Sequence, residues 1–245
     1  MYKLIKVLKK KYGFVTMILL GIIIIIIINS INNNNSNSNI LLSSFQDEHI
    51  FTICIDAGHG DWDLGASGIY ADEKDINLAV ALELGALLEA SEDINVVYTR
   101  EDDFILGTTA TESLEERVTL SNQSNADLFI SIHCNSYPYD ISVSGVETWY
   151  NPTDLNGEYF ASLVQEKLSD LNYTSNRGII TYAEGDELYV LNHTDASSIL
   201  IELGFITNPY DEEYLYSSLG QSQCAAAIYN ATLDYINWLN NDTSS

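Results

Sequence analysis

The segment Ala126-Asp-Leu-Phe-Ile-Ser-Ile-His133 decides the fold. Leu128–Ile132 is apolar at every position but Ser131, the pattern of a strand covered on both faces, as in a parallel sheet with helices above and below. His133 then falls directly after Ile132, at the carboxyl end of that strand, where open α/β sheets collect their functional groups.

Two further segments repeat the arrangement. Upstream, Phe51-Thr-Ile-Cys-Ile55 is a short β-rich run followed by Asp-Ala-Gly-His-Gly60, and downstream Ser198-Ile-Leu-Ile201 leads directly into Glu202. Helical spacing lies between the strands. Asp72 or Asp75 can cap a helix carrying Ile76, Ala79, Val80, Leu84, Leu87 and Leu88, and a second helix around Glu112–Asn122 carries Leu114, Val118 and Leu120. Asn95–Tyr98 and Val146–Tyr150 read as strands. Phe160, Leu163, Val164, Leu168 and Leu171 mark a third helix, and Cys224–Leu239 a closing one. The expected fold class is therefore α/β, a mostly parallel central sheet with helices on both faces. One such domain, residues 49–245, accounts for this part of the chain.

Residues 1–28 read differently. Lys3, Lys6, Lys9, Lys10 and Lys11 precede an apolar stretch from Phe14 to Ile28 that includes the unbroken isoleucine run 22–28. Lysines before an apolar run hold the N-terminus in the cytoplasm and place the chain beyond that run outside. The residues after Ile28 offer no Ala-x-Ala-like cleavage site, so the segment reads as an N-terminal transmembrane signal anchor rather than a cleaved signal peptide. Residues 29–48 form an Asn/Ser-rich flexible tether, too polar to bury a core. The expected location is the cell membrane, single-pass, with the domain of residues 49–245 extracytoplasmic, or secreted if the segment is cleaved.

Setting the anchor aside sharpens the charge. It holds five of the ten Lys and Arg and none of the 35 Asp and Glu, leaving the domain near −30. Such a surface excludes nucleic acid as a partner, and membrane contact is expected only through the anchor. Cys54, Cys134 and Cys224 are odd in number and sit in apolar surroundings, which implies small buried residues and no disulfide framework.

Among only four histidines, His59 and His133 fall at strand ends. Two imidazoles and one carboxylate are a common catalytic zinc set that leaves a position for water. Glu73, in the Asp72-Glu73-Lys74-Asp75 run, is a candidate third ligand, although before any further information a solvated helix start is the favoured reading of it. Glu202 inside Ile-Leu-Ile-Glu-Leu-Gly-Phe is costly to bury without a task or a partner.

These residues resemble the zinc-dependent N-acetylmuramoyl-L-alanine amidases over nearly the whole domain. The blocks are Ile55-Asp-Ala-Gly-His-Gly60, Glu73-Lys-Asp-Ile-Asn-Leu78, Val97-Tyr-Thr-Arg100, Glu116-Arg117, Ala126–His133 with Asn135, and Ile201-Glu-Leu-Gly-Phe-Ile-Thr-Asn208. The resemblance implies that His59, Glu73 and His133 bind one Zn2+ and that Glu202 is the catalytic carboxylate. It implies hydrolysis of the amide between N-acetylmuramic acid and L-alanine in peptidoglycan. A metallopeptidase acting within the stem peptide and a non-catalytic wall-binding homologue are the alternatives. No activator protein is specified. Arg100 and Arg117 read as structural, Asn135 as a substrate contact or a loop brace, and His193 as a loop residue near the site rather than a fourth ligand. Gly58 and Gly60 supply the turn around His59. Asp61 stands where the family commonly has glycine, Cys134 where it has a small residue, and Ser197-Ser198 where it has Pro-Ala. The interval from Asn135 to Gly145 is too short for an inserted helix over the zinc.

Overall fold

The computed structural model describes residues 50–242, so the expected anchor and tether lie outside the described residues. Within them no helix is long and apolar enough to cross a membrane. The elements run β1 (Phe51–Ala57), α1 (Glu73–Leu88), β2 (Ile94–Tyr98), α2 (Ala110–Gln123), β3 (Leu128–Asn135), β4 (Val146–Tyr150), α3 (Leu155–Ser169), β5 (Asn176–Ile180), α4 (Tyr189–His193), β6 (Ser197–Phe205), α5 (Pro209–Tyr216) and α6 (Ser218–Asp242).

One six-stranded sheet has the order β2-β1-β3-β6-β4-β5. Every pairing is parallel except β4 with β6, so the sheet is mostly parallel, as expected. The exception has a physical cause. Residues 136–145 link β3 to β4 through turns without a helix, and a chain that lacks a crossover helix returns antiparallel.

Period-2 alternation divides the interior into two layers. Ile53, Ile55, Leu128, Ile130, Ile132, Ile199 and Ile201 face one way, against α1, α3 and α6. Cys54, Phe129 and Leu200 face the other way, against Val118 of α2 and Val190 and Leu191 of α4. Helices thus cover both faces. Along α6, the buried Cys224, Ile228, Ala231 and Tyr235 recur at steps of three and four, a seam that seats this helix on α1 and α3. Each fully buried Ile or Leu contributes about 1.5–3 kcal/mol, so the core is distributed rather than dependent on one residue.

Several expectations need correction. His133 and Glu202 lie inside β3 and β6 rather than after them, because the β3–β6 ladder continues past the apolar run. Leu114 is 39% exposed and Leu87 is 37% exposed, so neither is core. Three elements escape the pattern altogether. β5 starts on Asn176-Arg177 and contains Gly178 at φ 84°, and α4 has only five residues, too few for a period. A readable signal did precede α5: Asn208 before Pro209 caps the helix, its side chain accepting from the Tyr210 and Asp211 N–H groups.

Candidate active site

β1 ends in a loop that carries His59, and the backbone there is unusual. His59 has φ 63° and Asp61 φ 49°, both left-handed, with Gly60 at φ 140° between them. A Cβ on Gly60 would sit 2.2 Å from the Phe104 carbonyl oxygen, so only glycine fits. Gly58 has a different task from the turn role expected of it. Its φ is ordinary, and a Cβ there would come within 2.2 Å of the His133 ring; the glycine leaves room for that imidazole.

Two buried arginines brace this loop. Arg100 donates to the carbonyls of Ala57 (3.0 Å), Gly58 (3.0 Å) and Lys74 (2.7 Å). Arg117 donates to Asp56 (2.5 Å) and to the carbonyls of Ala57 (3.0 Å) and His59 (2.9 Å). Both are occupied by backbone and by Asp56, in line with the structural role expected of them. Burial alone would raise the Asp56 carboxyl, but Arg117 above all, with His133, Ser131 and Thr99, holds it below the usual aspartate range.

Glu73 opens α1 and is 4% exposed, which removes the solvated-start explanation. Asp72 is its N-cap but makes no side-chain cap bond, its carboxylate instead accepting from Ser67 Oγ at 2.6 Å. Glu73 Oε1 lies 3.2 Å from His59 Nε2 and 3.0 Å from His133 Nδ1. Backbone N–H groups of Cys134 and Ala66 hold the same carboxylate at 3.0 and 2.9 Å, and Asn77 Nδ2 approaches it at 3.3 Å. The His59 and His133 rings meet edge to face, centroids 4.9 Å apart. Asp63 Oδ2 lies 2.9 Å from the other His59 nitrogen and fixes the orientation of that ring.

One donor atom from each of His59, Glu73 and His133 lies within 4.8 Å of the other two. Ligands at ~2.0–2.1 Å around a tetrahedral ion sit roughly 3.3 Å apart, close to the two nitrogen–oxygen separations here. Burial opposes charge on both Glu73 and His59. Even so, the two imidazoles pull the Glu73 carboxyl well below its usual range, and Glu73 with Asp63 lifts the His59 imidazole above its own.

Glu202 is the register partner of His133. Its Oε2 is closed off from solvent and accepts no hydrogen bond among the described residues. Burial first, then the nearby Glu73 and Glu147, push its carboxyl well above the usual glutamate range. Two imidazoles and the Glu73 carboxylate, with the Glu202 carboxyl in register beside His133, are a donor set that a divalent cation fits. A cleft of about 430 Å³ opens beside the two histidines, walled by Leu114, Arg117 and the Leu188–Val190 segment. Leu114 therefore lines the cleft instead of filling the core.

The family model of N-acetylmuramoyl-L-alanine amidase matches residues 53–234. The chain belongs to the N-acetylmuramoyl-L-alanine amidase family. It is 41% identical over 187 residues to the uncharacterized protein YqiI of Bacillus subtilis (strain 168), covering 75% of this chain and 84% of that one. To the N-acetylmuramoyl-L-alanine amidase LytC of the same organism it is 37% identical over 186 residues, 75% of this chain but only 35% of LytC. The crystal structure of the N-acetylmuramoyl-L-alanine amidase from Clostridium difficile 630 superimposes with a TM-score of 0.70 at 33% identity, covering 77% of this chain and 98% of that one.

The departures in this amidase now have local explanations. Asp61 adopts a left-handed φ that glycine would take freely, and its N–H donates to Asp103 Oδ1 at 2.8 Å. Cys134 donates its N–H to Glu73 while its buried thiol turns toward Asn77 Oδ1 at 3.6 Å; burial and then Glu73 push that thiol far above its usual value. Cys54 and Cys224 are likewise buried, and burial raises each to about 12. Ser198 N–H donates to Asp154, the N-cap of α3, tying the start of β6 to that helix. Asn135 is a brace in this structure, its Nδ2 donating to Glu147 at 2.9 Å and its Oδ1 accepting from Ser136 N–H at 2.8 Å. His193 stands at the end of α4 rather than in a loop, stacked on Tyr189, and is not among the clustered ligand atoms. Asp63, Asn77, Glu147 and Arg177 were not singled out from the sequence. Glu147 carried a signal, a carboxylate in the otherwise uncharged strand Val-Glu-Thr-Trp-Tyr.

Proposed function

We propose that the chain is a zinc-dependent amidase that hydrolyses the bond between the lactyl group of N-acetylmuramic acid and L-alanine in peptidoglycan. The observation that carries the reading is the convergence of His59, Glu73 and His133 beside Glu202. The two imidazoles and the Glu73 carboxylate would hold the ion. Zinc, when bound, supplies positive charge that acidifies water and polarises an amide carbonyl.

The chain's own residues do the rest. Glu202 takes a proton from the attacking water and returns it to the amine nitrogen as the C–N bond breaks, leaving an acid and an amine. Oε2 has no hydrogen-bond partner among the described residues, so no neighbouring donor ties the carboxyl up. Asp63 fixes the His59 ring, and Cys134 and Ala66 N–H groups fix Glu73, so none of the ligands has to reorganise. Leu114 and Leu188 give the cleft beside the histidines an apolar wall against which a substrate can pack.

The lysine-rich head and isoleucine run support a membrane-tethered enzyme working outside the cytoplasm. Digestion of purified cell wall by the zinc-loaded enzyme, with end-group analysis of the products, tests the reaction. The proposal requires new L-alanine N-termini. Other new peptide termini would support the metallopeptidase alternative, and no cleavage the non-catalytic one.

A further inference from the structure

Five Lys and Arg lie beyond residue 12 in this strongly acidic chain, and four are already engaged. Lys74 pairs with Asp103 at 2.6 Å, and Lys167 with Asp234 at 2.9 Å between α3 and α6. Arg100 and Arg117 are buried in their bracing of the His59 loop. Arg177 on β5 differs, with its side chain 39% exposed.

That side chain is built into place. Its Nε donates to Glu147, which is 3% exposed and also accepts from Asn135 Nδ2 (2.9 Å) and Trp149 Nε1 (3.1 Å). The guanidinium carbon stands 5.0 Å over the centre of the Phe205 ring. Gly145 makes room for the stem: a Cβ there would lie 2.6 Å from Arg177 Cγ and Cδ. The two terminal amino groups have no acceptor among the described residues, and the side chain lines an open cavity of about 520 Å³ with Asn135, Ser136, Tyr137, Val143 and Phe205.

Glu147 and Glu202 are register partners on β4 and β6, and β5 is the next strand beyond β4. Two strand spacings are roughly 10 Å, the reach of about three extended peptide residues. A pre-oriented guanidinium edge is the group that takes a carboxylate through two parallel N–H···O bonds. Because Glu147 already cancels the arginine's charge, recognition here rests on those two donor groups at short range. Such contact suits an enzyme whose overall charge repels acidic ligands at a distance.

We propose that Arg177, held by Glu147, is a binding subsite for a free carboxylate on the peptide beyond the scissile amide. The proposal rests on the amidase reading. Its test uses the full-length zinc-loaded enzyme and soluble N-acetylmuramoyl peptides in which each free carboxylate within three residues of the cut is converted in turn to its carboxamide. One conversion is expected to raise KM about 10-fold or more with little change in kcat. Arg177→Gln should then treat the acid and the amide alike. Arg177→Lys keeps the charge beside Glu147 but loses the fork, and should lose most of the preference; it serves also if the glutamine variant does not fold. Equal kcat/KM for acid and amide forms in the wild type would overturn the subsite alone, as would a folded, zinc-containing Arg177 variant that keeps the full preference. Failure to cut any of these peptides at the muramoyl–alanine bond would instead overturn the amidase reading, and the subsite with it.

Discussion

His133 on β3 and Glu202 on β6 are register partners across adjacent parallel strands. Neighbouring strands stand ~4.8 Å apart, so the sheet itself sets the spacing between a proposed metal ligand and the proposed base. Rigid strands hold such groups more tightly than loops do, and Glu73, delivered by the first turn of α1, lies 3.0 Å from His133 Nδ1.

Room for the His133 ring depends on Gly58. Gly58→Ala introduces no backbone strain, since φ there is ordinary, yet its Cβ would press on the imidazole at 2.2 Å. The variant is expected to fold and to bind zinc roughly 10- to 100-fold more weakly, the range seen when the support of a ligand is disturbed. Competition with a chelator measures this. Unchanged zinc affinity would show that the ring does not need its present position.

The Asp56–Arg117 pair predicts a pH signature in stability. Asp56 has a depressed carboxyl in the folded protein, so its contribution is complete above the usual aspartate value of ~3.9. It is lost as the pH falls below that value toward the depressed folded one. Asp56→Asn should cost roughly 3–5 kcal/mol at pH 7, because it leaves Arg117 buried without its partner. The stability gap to the wild type should narrow as the pH falls through 4, which denaturant unfolding at several pH values reads directly. A gap independent of pH would remove the ion pair as its cause.

Much of this was legible from residue pattern alone. Apolar runs such as Leu128–Ile132 announce doubly covered strands, and the histidines behind them raise a candidate site whose full set, with Glu73 and Glu202, came from the resemblance to the amidase family. What the pattern could not carry were facts of three-dimensional closure. The continuation of β3 and β6 through His133 and Glu202 depends on a ladder between distant segments, and β5 begins with residues that favour turns. Leu114 looked like core because helical spacing cannot tell a face that meets the sheet from one that meets a cleft. Glu147 and Arg177 lie 30 residues apart, and only the pairing of β4 with β5 brings them together.

The N-terminal segment predicts location. If Phe14–Ile28 is an uncleaved anchor, the protein should partition with membranes, resist extraction by salt, and keep its lysine-rich head. Membrane fractionation with N-terminal sequencing checks this. A freely soluble form beginning beyond Ile28 would contradict it.

The central claim is that zinc binding and proton transfer belong to different residues, and the metal content of Glu202→Gln tests it most directly. Glutamine keeps the size of the side chain but cannot accept the proton. The purified variant should retain close to one zinc per chain, as is expected of the wild type, while its turnover on cell wall falls ~100-fold or more. His59→Ala, run alongside, should lose both metal and activity. A Glu202→Gln protein that lacks zinc, or one that keeps zinc and near-normal turnover, would contradict the account.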